Sequence, residues 1–591
     1  MDGSIGGNAG AGGHGNGGSG GNAGADGGND AGTGANGGSA GMGGALSEGG
    51  VGGTVSGHVL RVTPEPDATK VDTRATVELV LDRTALMSDA AGVELLAGGT
   101  PTPTTAELDG STLMLVPDDA LRMNTTYTVR VTSPLAASPA TWTFTTADGA
   151  YRGAEDLFYA GKDPSETSRV IVADVAAHGS VVAAAYRTVG KVLVRRSRGA
   201  GGRQQPAMSD AGTPALSWQP EEAVADGESD HRVAGETSQE VCVGIDGTGA
   251  LVVAWDAPAG SAGAYSIYAA RSAGGSTAWS AATRLETDTD ACTAADAPGC
   301  TASEPRLAVS SNGNAVVAWE RHQGTASTVW AALLSGGKWS TATALSGATA
   351  SEPSVTMNAS GDAAVAWIET TSGYDVTKLR RYTAAKQTWD TARSLVFGNQ
   401  TNARLPSVAL NDAATLLVSW TAWPPGAPRV PGQGATRIYW EKPGATGGPS
   451  AGPVGAVNDG YQGVLGAKND VLAAWGAPNP NSVNAAVHAL PASGADVWPV
   501  GVTISKVEDY VALAVPRIDA QGRGLVAWRV GTDKTDPGIY SARYDGKQWS
   551  PAVPVVPGDV VGPLVALDDD GSGVIAWIPP ADGALQAELF Q

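Results

Sequence analysis

Cysteine is nearly absent from this chain: Cys242, Cys292 and Cys300 are its complement in 591 residues. Three cysteines exclude a disulfide framework, so the fold must rest on a hydrophobic core. Cys292 and Cys300 flank the short segment CTAADAPGC, where they either close one bridge or stay as two thiols. Charge is sparse too, at 16% of residues, and lopsided at a net −21. Such a surface repels a phosphate backbone and argues against nucleic acid as a partner. The 6 histidines are scattered, without zinc-ligand spacing. No nucleophile elbow of the G-x-S-x-G kind occurs, and AspAspAspGly at 568–571 lacks the further ligands of a calcium loop. The chain therefore presents no catalytic set, no metal site and no cofactor motif. No apolar run is long enough to span a bilayer, and the first residues, MDGSIGGNAG, lack the basic and apolar regions of a secretory signal. A monomer is expected.

What the chain does have is glycine, with 81 copies, and tryptophan, whose 17 copies far outnumber the 4 phenylalanines. Residues 1–54 are dominated by Gly with Asn, Ala and Ser, a composition with nothing to bury, so a disordered linker is expected there. This stretch resembles the spacer that follows the lipid-anchored cysteine in surface lipoproteins of myxobacteria. The resemblance implies an extracellular or cell-surface setting, although the lipid-attachment motif itself is not in the sequence given.

From 55 to 148 the pattern changes to short alternating runs, such as Val77–Leu81 and Thr112–Val116, with AspGly at 109–110 between two of them. Alternation of this kind reads as half-buried antiparallel strands joined by a tight hairpin. The segment Val62–Ala68 (VTPEPDA), the strand Leu113–Asp118, Thr126–Val131 and the closing Thr141–Thr146 (TWTFTT) resemble a bacterial Ig-like domain of the SbsA type. That family implies a β-sandwich without chemistry of its own.

From about 150 to 591 a repeat takes over. Trp255, Trp319, Trp367, Trp420, Trp475, Trp528 and Trp577 recur, with Tyr186 in the equivalent place at the start. Pro305, Pro353, Pro406 and Pro563 each precede their Trp by fourteen residues. Six residues before the Trp stands Gly249, Gly313, Gly361, Gly522 or Gly571, or Asn469 in the sixth unit. These residue types tolerate positive φ and mark a tight turn between two strands. A second series, Trp218, Trp279, Trp339, Trp389, Trp498 and Trp549, opens a fourth strand, and only the fifth unit lacks a clean counterpart because Trp440 arrives early. The second strand is apolar on both faces, as blades packed face to face around an axis require. The last unit ends after three strands, and the segment around Asp156 to Ala160 is placed to supply its fourth. The expected fold is therefore all-β: an Ig-like sandwich followed by an eight-bladed propeller, or a seven-bladed one with a degenerate unit. The units resemble those of sialidase-like bacterial propellers, although Ser310–Ala315 and Asp568–Gly573 depart from the strict Asp-box. That resemblance covers the fold.

Long connections, among them 226–240, 256–264, 288–304 and 423–434, fall on the face where second strands pass to third and one blade passes to the next, with the basic insertion at 195–203 the exception. Binding usually resides in such loops on a rigid scaffold. Glu240, Glu304 and Glu352 stand just before first strands and so near the channel mouth; Asp230 and Glu236 lie in the loops. Arg321, His322 and Trp423 would add donors and a stacking surface. The reading that follows is a secreted or surface-tethered, non-enzymatic binding or scaffold protein that recognises a polysaccharide or a cell-envelope protein. The alternative is a carbohydrate-active enzyme of the sialidase-like kind, which would need several Arg residues converging on a carboxylate. Arg306 and Arg517 each follow an opening Pro and Arg404 precedes one, so their registers disagree.

Overall fold

The structure, a computed structural model, describes residues 58–590 apart from connecting segments. The longer of these are 159–171, 198–217, 227–239, 259–264, 287–299, 397–401, 424–433, 458–461, 492–497 and 506–510. The Gly-rich linker, Asp230, Glu236, Cys292 and the interiors of the long connections therefore lie outside the described residues.

Residues 58–147 form a two-sheet sandwich. One sheet runs in the order Val59–Thr63, Val77–Leu81, Thr112–Pro117, Thr104–Asp109. The other runs Ala68–Val71, Ala140–Thr146, Thr126–Val131, Val93–Ala97, Thr100–Pro101. Alternate residues point inward, so Leu79, Leu113, Leu115, Tyr127, Val129, Trp142 and Phe144 make one core. The expected hairpin forms where Asp109 pairs with Thr112, and Gly110 takes φ +59°.

Eight four-stranded blades follow. Their first strands are Val172–His178, Val241–Ile245, Cys300–Val309, Ala350–Met357, Asn402–Leu410, Gln462–Leu465, Val511–Ile518 and Val561–Leu567. Each touches the first strands of the blades on both sides, and the last touches the first, so the eight close a ring around an axis. One parallel bridge, Asp375 to Asn402, links the fourth and fifth blades, which are otherwise separate antiparallel units. The eighth blade is completed by Tyr151–Phe158, which pairs antiparallel with Leu585–Phe590. That strand begins five residues earlier than the sequence expectation and closes the ring in the expected way. Closure removes two sheet edges that would otherwise be free to pair with other chains.

The second strands are the filling of the ring. Leu251–Pro258, Ala315–Gln323 and Leu416–Trp423 are buried over nearly their whole length. Tyr186 and the seven repeating Trp are at most 2% exposed. Odd and even residues of each such strand pack against opposite neighbours: Val317 and Trp319 against the second blade, Val316 and Ala318 against the fourth. Trp440, early for a fourth strand, sits in the third strand of its blade (Gly434–Lys442) and is buried.

The turn from first to second strand is built the same way on several blades. Asp246 Oδ1 accepts from the backbone N–H of Thr248 and Ala250 at 2.8 and 3.0 Å, and Asp519 Oδ1 from Gln521 and Arg523 at 2.9 and 2.8 Å. Asn358 and Asn411 do the same for Asp362 and Thr415. The side chain holds an Asx turn while the residue three further on takes positive φ, +76° at Gly249 and +88° at Gly522. The fifth blade has Ala414 there at φ +58°. Among the described residues no helix is long and apolar enough to cross a membrane.

Candidate functional site at the channel mouth

Proline creates the unusual feature of the inner strands. The residue before a proline is pushed toward extended backbone, yet Glu304, Glu352 and Leu405, before Pro305, Pro353 and Pro406, have φ of +54°, +56° and +51°. The strand register slips at each, between Ser303 and Arg306, Ser351 and Ser354, and Arg404 and Ser407. These are β-bulges on three consecutive blades, which bend the strand and re-aim one side chain. A left-handed conformation costs a non-glycine residue about 1–2 kcal/mol. All three bulges lie at the end where the long connections emerge.

The bulges organise a chain of charge across five blades. Arg187 pairs with Asp256 at 3.1 Å, and Asp256 Oδ1 accepts the Glu240 N–H at 3.0 Å. Burial pushes the Asp256 carboxyl up to about 7 despite the pull of Arg187. Glu240 bonds Arg306, which also lies 3.7 Å from Glu304. Burial, then the charge of Glu320, raises the Glu304 carboxyl above its usual range. Glu320 accepts the Glu352 N–H at 2.6 Å and stands 3.3 Å from His322, whose pKa it raises. Glu352 in turn accepts from Arg404 at 2.5 Å and from the Leu405 N–H at 2.7 Å. Arg404 also lies 3.9 Å from Asp375.

Of the residues singled out from the sequence, Glu240, Glu304, Glu352 and His322 come together at this mouth, with side chains of Glu304 and His322 36% and 39% exposed. Arg321 and Trp423 do not. Arg321 shares strand parity with Trp319, so it turns toward the second blade, 6% exposed, with its guanidinium 4.8 Å from the Trp330 ring. Trp423 is 2% exposed and packs close to Gly434. Neither offers the donor or the open stacking face expected of it. The residues that sequence reasoning passed over are Arg187, Asp256, Glu320 and Asp375, while Arg306 and Arg404 are weighed there only for the sialidase-like alternative.

Chemically, the mouth is an acidic rim in which each guanidinium is already answered by a carboxylate. Cys242, next in the ring to Arg306, is buried, donates to the Pro305 carbonyl at 3.0 Å, and has its thiol pushed well above the usual range, first by burial. Among the described residues no three His, Cys, Asp or Glu side chains gather as a metal site. A separate groove of about 1060 Å³ lies on the outer rim between the sixth and seventh blades, lined by Val502, Tyr540, Trp549, Pro551 and Pro554, and shares no residue with the mouth.

No curated protein matches this chain. Many solved structures resemble it weakly, three of them as follows. A PL25 polysaccharide lyase, an ulvan lyase, gives a TM-score of 0.39 at 10% identity, over 67% of this chain and 94% of that one. The β-propeller domain of the Trilobed protease from Pyrococcus furiosus gives 0.35 at 10%, over 60% and 93%. The Hadza microbial sialidase Hz136 gives 0.31 at 11%, over 89% and 98%. The propeller assignment rests instead on the strand pairing and ring closure. For the sandwich, residues 54–146 match the family described as bacterial Ig-like domain.

Proposed function

We propose that this chain is a non-enzymatic binding or scaffold protein of the cell surface or extracellular space, whose propeller takes a polysaccharide at the acidic channel mouth. The observation that carries it is the run of strained bulges at Glu304, Glu352 and Leu405. Strain kept on three neighbouring blades is a mark of a working surface. It presents half-exposed carboxylates, which accept hydroxyl hydrogen bonds, beside the exposed Leu405. The sandwich is then an SbsA-type spacer and residues 1–54 a tether of the lipoprotein kind, the whole acting as a monomer.

The sialidase-like alternative needs guanidiniums available to a substrate carboxylate. Arg306 and Arg404 are engaged by Glu240 and Glu352, which favours binding over that chemistry. A screen of glycans and envelope polysaccharides against the full chain, with reducing ends assayed on every hit, tests the reading. Binding without release, weakened at least tenfold by Glu304→Gln, is expected. Release of reducing ends would overturn the non-enzymatic reading, and binding only to an envelope protein would replace the polysaccharide.

A further inference from the structure

The inner strands of the first four blades use one recurrent position to fasten to a neighbouring blade. In the first blade Asp174 accepts the Val243 N–H at 3.0 Å, and in the second Cys242 donates to the Pro305 carbonyl. In the third Arg306 binds Glu240, and in the fourth Ser354 accepts the Val408 N–H at 3.1 Å. Strand register puts these four residues at one level of the ring, and it puts Ser407 of the fifth blade and Gln462 of the sixth at the same level. There the pattern stops. Ser407 and Gln462 are half-buried, and among the described residues neither side chain has a hydrogen-bond partner.

Arg517 continues the arc on the seventh blade. Its register places it one level deeper, roughly 7 Å along the strand. The other inner strands are slight at that depth: Ala176, Gly244, Ala308, Ala409 and Ala566, with only Thr356 and Val464 larger. Arg517 is thus the one charge at its level among the described residues. One of its five donors is taken by its own Pro516 carbonyl at 2.8 Å. Among the described residues no carboxylate stands within ion-pair contact; Asp174 acts on it from across the eighth blade, while serving as acceptor to Val243. A half-buried guanidinium with no direct ion pair among the described residues is an anion site in waiting, and a planar fork matches a carboxylate.

We propose that the channel wall formed by Ser407, Gln462 and Arg517 binds a small hydroxycarboxylate, with the carboxylate on Arg517 and a ligand hydroxyl on Gln462 and Ser407. Neighbouring inner strands approach closely enough for one to bond the backbone of the next, so a ligand of a few heavy atoms bridges the arc. This site is independent of what the outer mouth recognises. The acidic rim and the net charge oppose entry of an anion, so the affinity is modest, with Kd on the order of 0.1–1 mM.

Titration calorimetry of the full chain with D-glucuronate, and with glucose as the neutral control, tests it. Saturable binding of glucuronate and none of glucose is expected. Arg517→Met should weaken it at least tenfold, and Gln462→Ala a few-fold. Arg517→Lys keeps the charge and loses the fork, and should weaken it several-fold; this variant decides the matter if Arg517→Met does not fold. Equal binding of glucose, unchanged affinity in both Arg517 variants, or no saturable binding of glucuronate up to ~10 mM would each overturn the site.

Discussion

Glu352 carries two opposed energies that substitution can separate. Its carboxylate clamps the fifth blade through Arg404 and the Leu405 N–H, and hydrogen bonds to a charged group contribute about 1.5–3 kcal/mol each when buried. The Glu352 and Arg404 side chains are 26% and 32% exposed, and solvent screening reduces the clamp to about 1–3 kcal/mol in total. Against this, φ of +56° costs about 1–2 kcal/mol for any residue with a Cβ. Glu352→Ala loses the clamp and keeps the strain. Glu352→Gly loses the clamp and the strain, but gives the unfolded chain about 0.4–1 kcal/mol of added freedom. The difference leaves the glycine variant more stable than the alanine variant by roughly 0.5–1 kcal/mol, with both below the parent. In a ring of this size that is a separation of about 2 °C or less in melting midpoint. Scanning calorimetry of the three proteins at one scan rate resolves it. An alanine variant equal to or above the glycine variant would refute the claim that the bulge is strained. A glycine variant above the parent would refute the clamp.

Other outcomes follow from the same geometry. Ala414→Gly relieves φ +58° in the turn of the fifth blade and should leave the protein unchanged or up to about 1 kcal/mol more stable in urea. Trp577→Ala empties a fully buried site in the closing blade and should cost about 3–5 kcal/mol, read as a lower denaturation midpoint. Removing residues 1–158 deletes the strand that closes the ring; the remainder should lose solubility and give a broad thermal transition, whereas a sharp, unshifted one would deny the closure. Burial works to raise the Asp246 carboxyl, but hydrogen bonds from Thr248, Ala250 and Arg271 outweigh it and hold the pKa below 3.8. Its contribution is therefore complete above the unfolded value and lost as pH falls through the lower folded one. Asp246→Asn, which keeps the turn acceptor, should narrow the stability gap between pH 7 and acid, measured by urea midpoints.

The repeat was legible because burial is periodic. A Trp that must fill the gap between blades cannot drift, and a turn that needs positive φ selects Gly or Asn, so both leave fixed spacings. Closure was legible from a missing strand. The mouth was harder. Arg321 and His322 are sequence neighbours, and in a strand neighbours face opposite sides, so only one of them could reach the mouth. Extending the second strand two residues past Arg321 would have separated them. Trp423 read as a loop residue because prolines follow it, but its strand runs on to include it. The bulges left no trace, since Glu before Pro ordinarily means extended backbone. The disagreement in register among Arg306, Arg404 and Arg517 was visible in the sequence, and the ring shows its meaning as different depths.

The strand Tyr151–Phe158 is both the clasp of the ring and the only covalent approach to it from the sandwich. A pull arriving through the sandwich while a ligand holds the opposite face would therefore, once the Met123 contacts to Arg523 and Arg543 part, load the hydrogen bonds to Leu585–Phe590 before any blade interior feels it. Under tension the weakest link and the seam of the ring coincide, so this propeller would fail by unfastening, and once slack it could close again without having unfolded a blade.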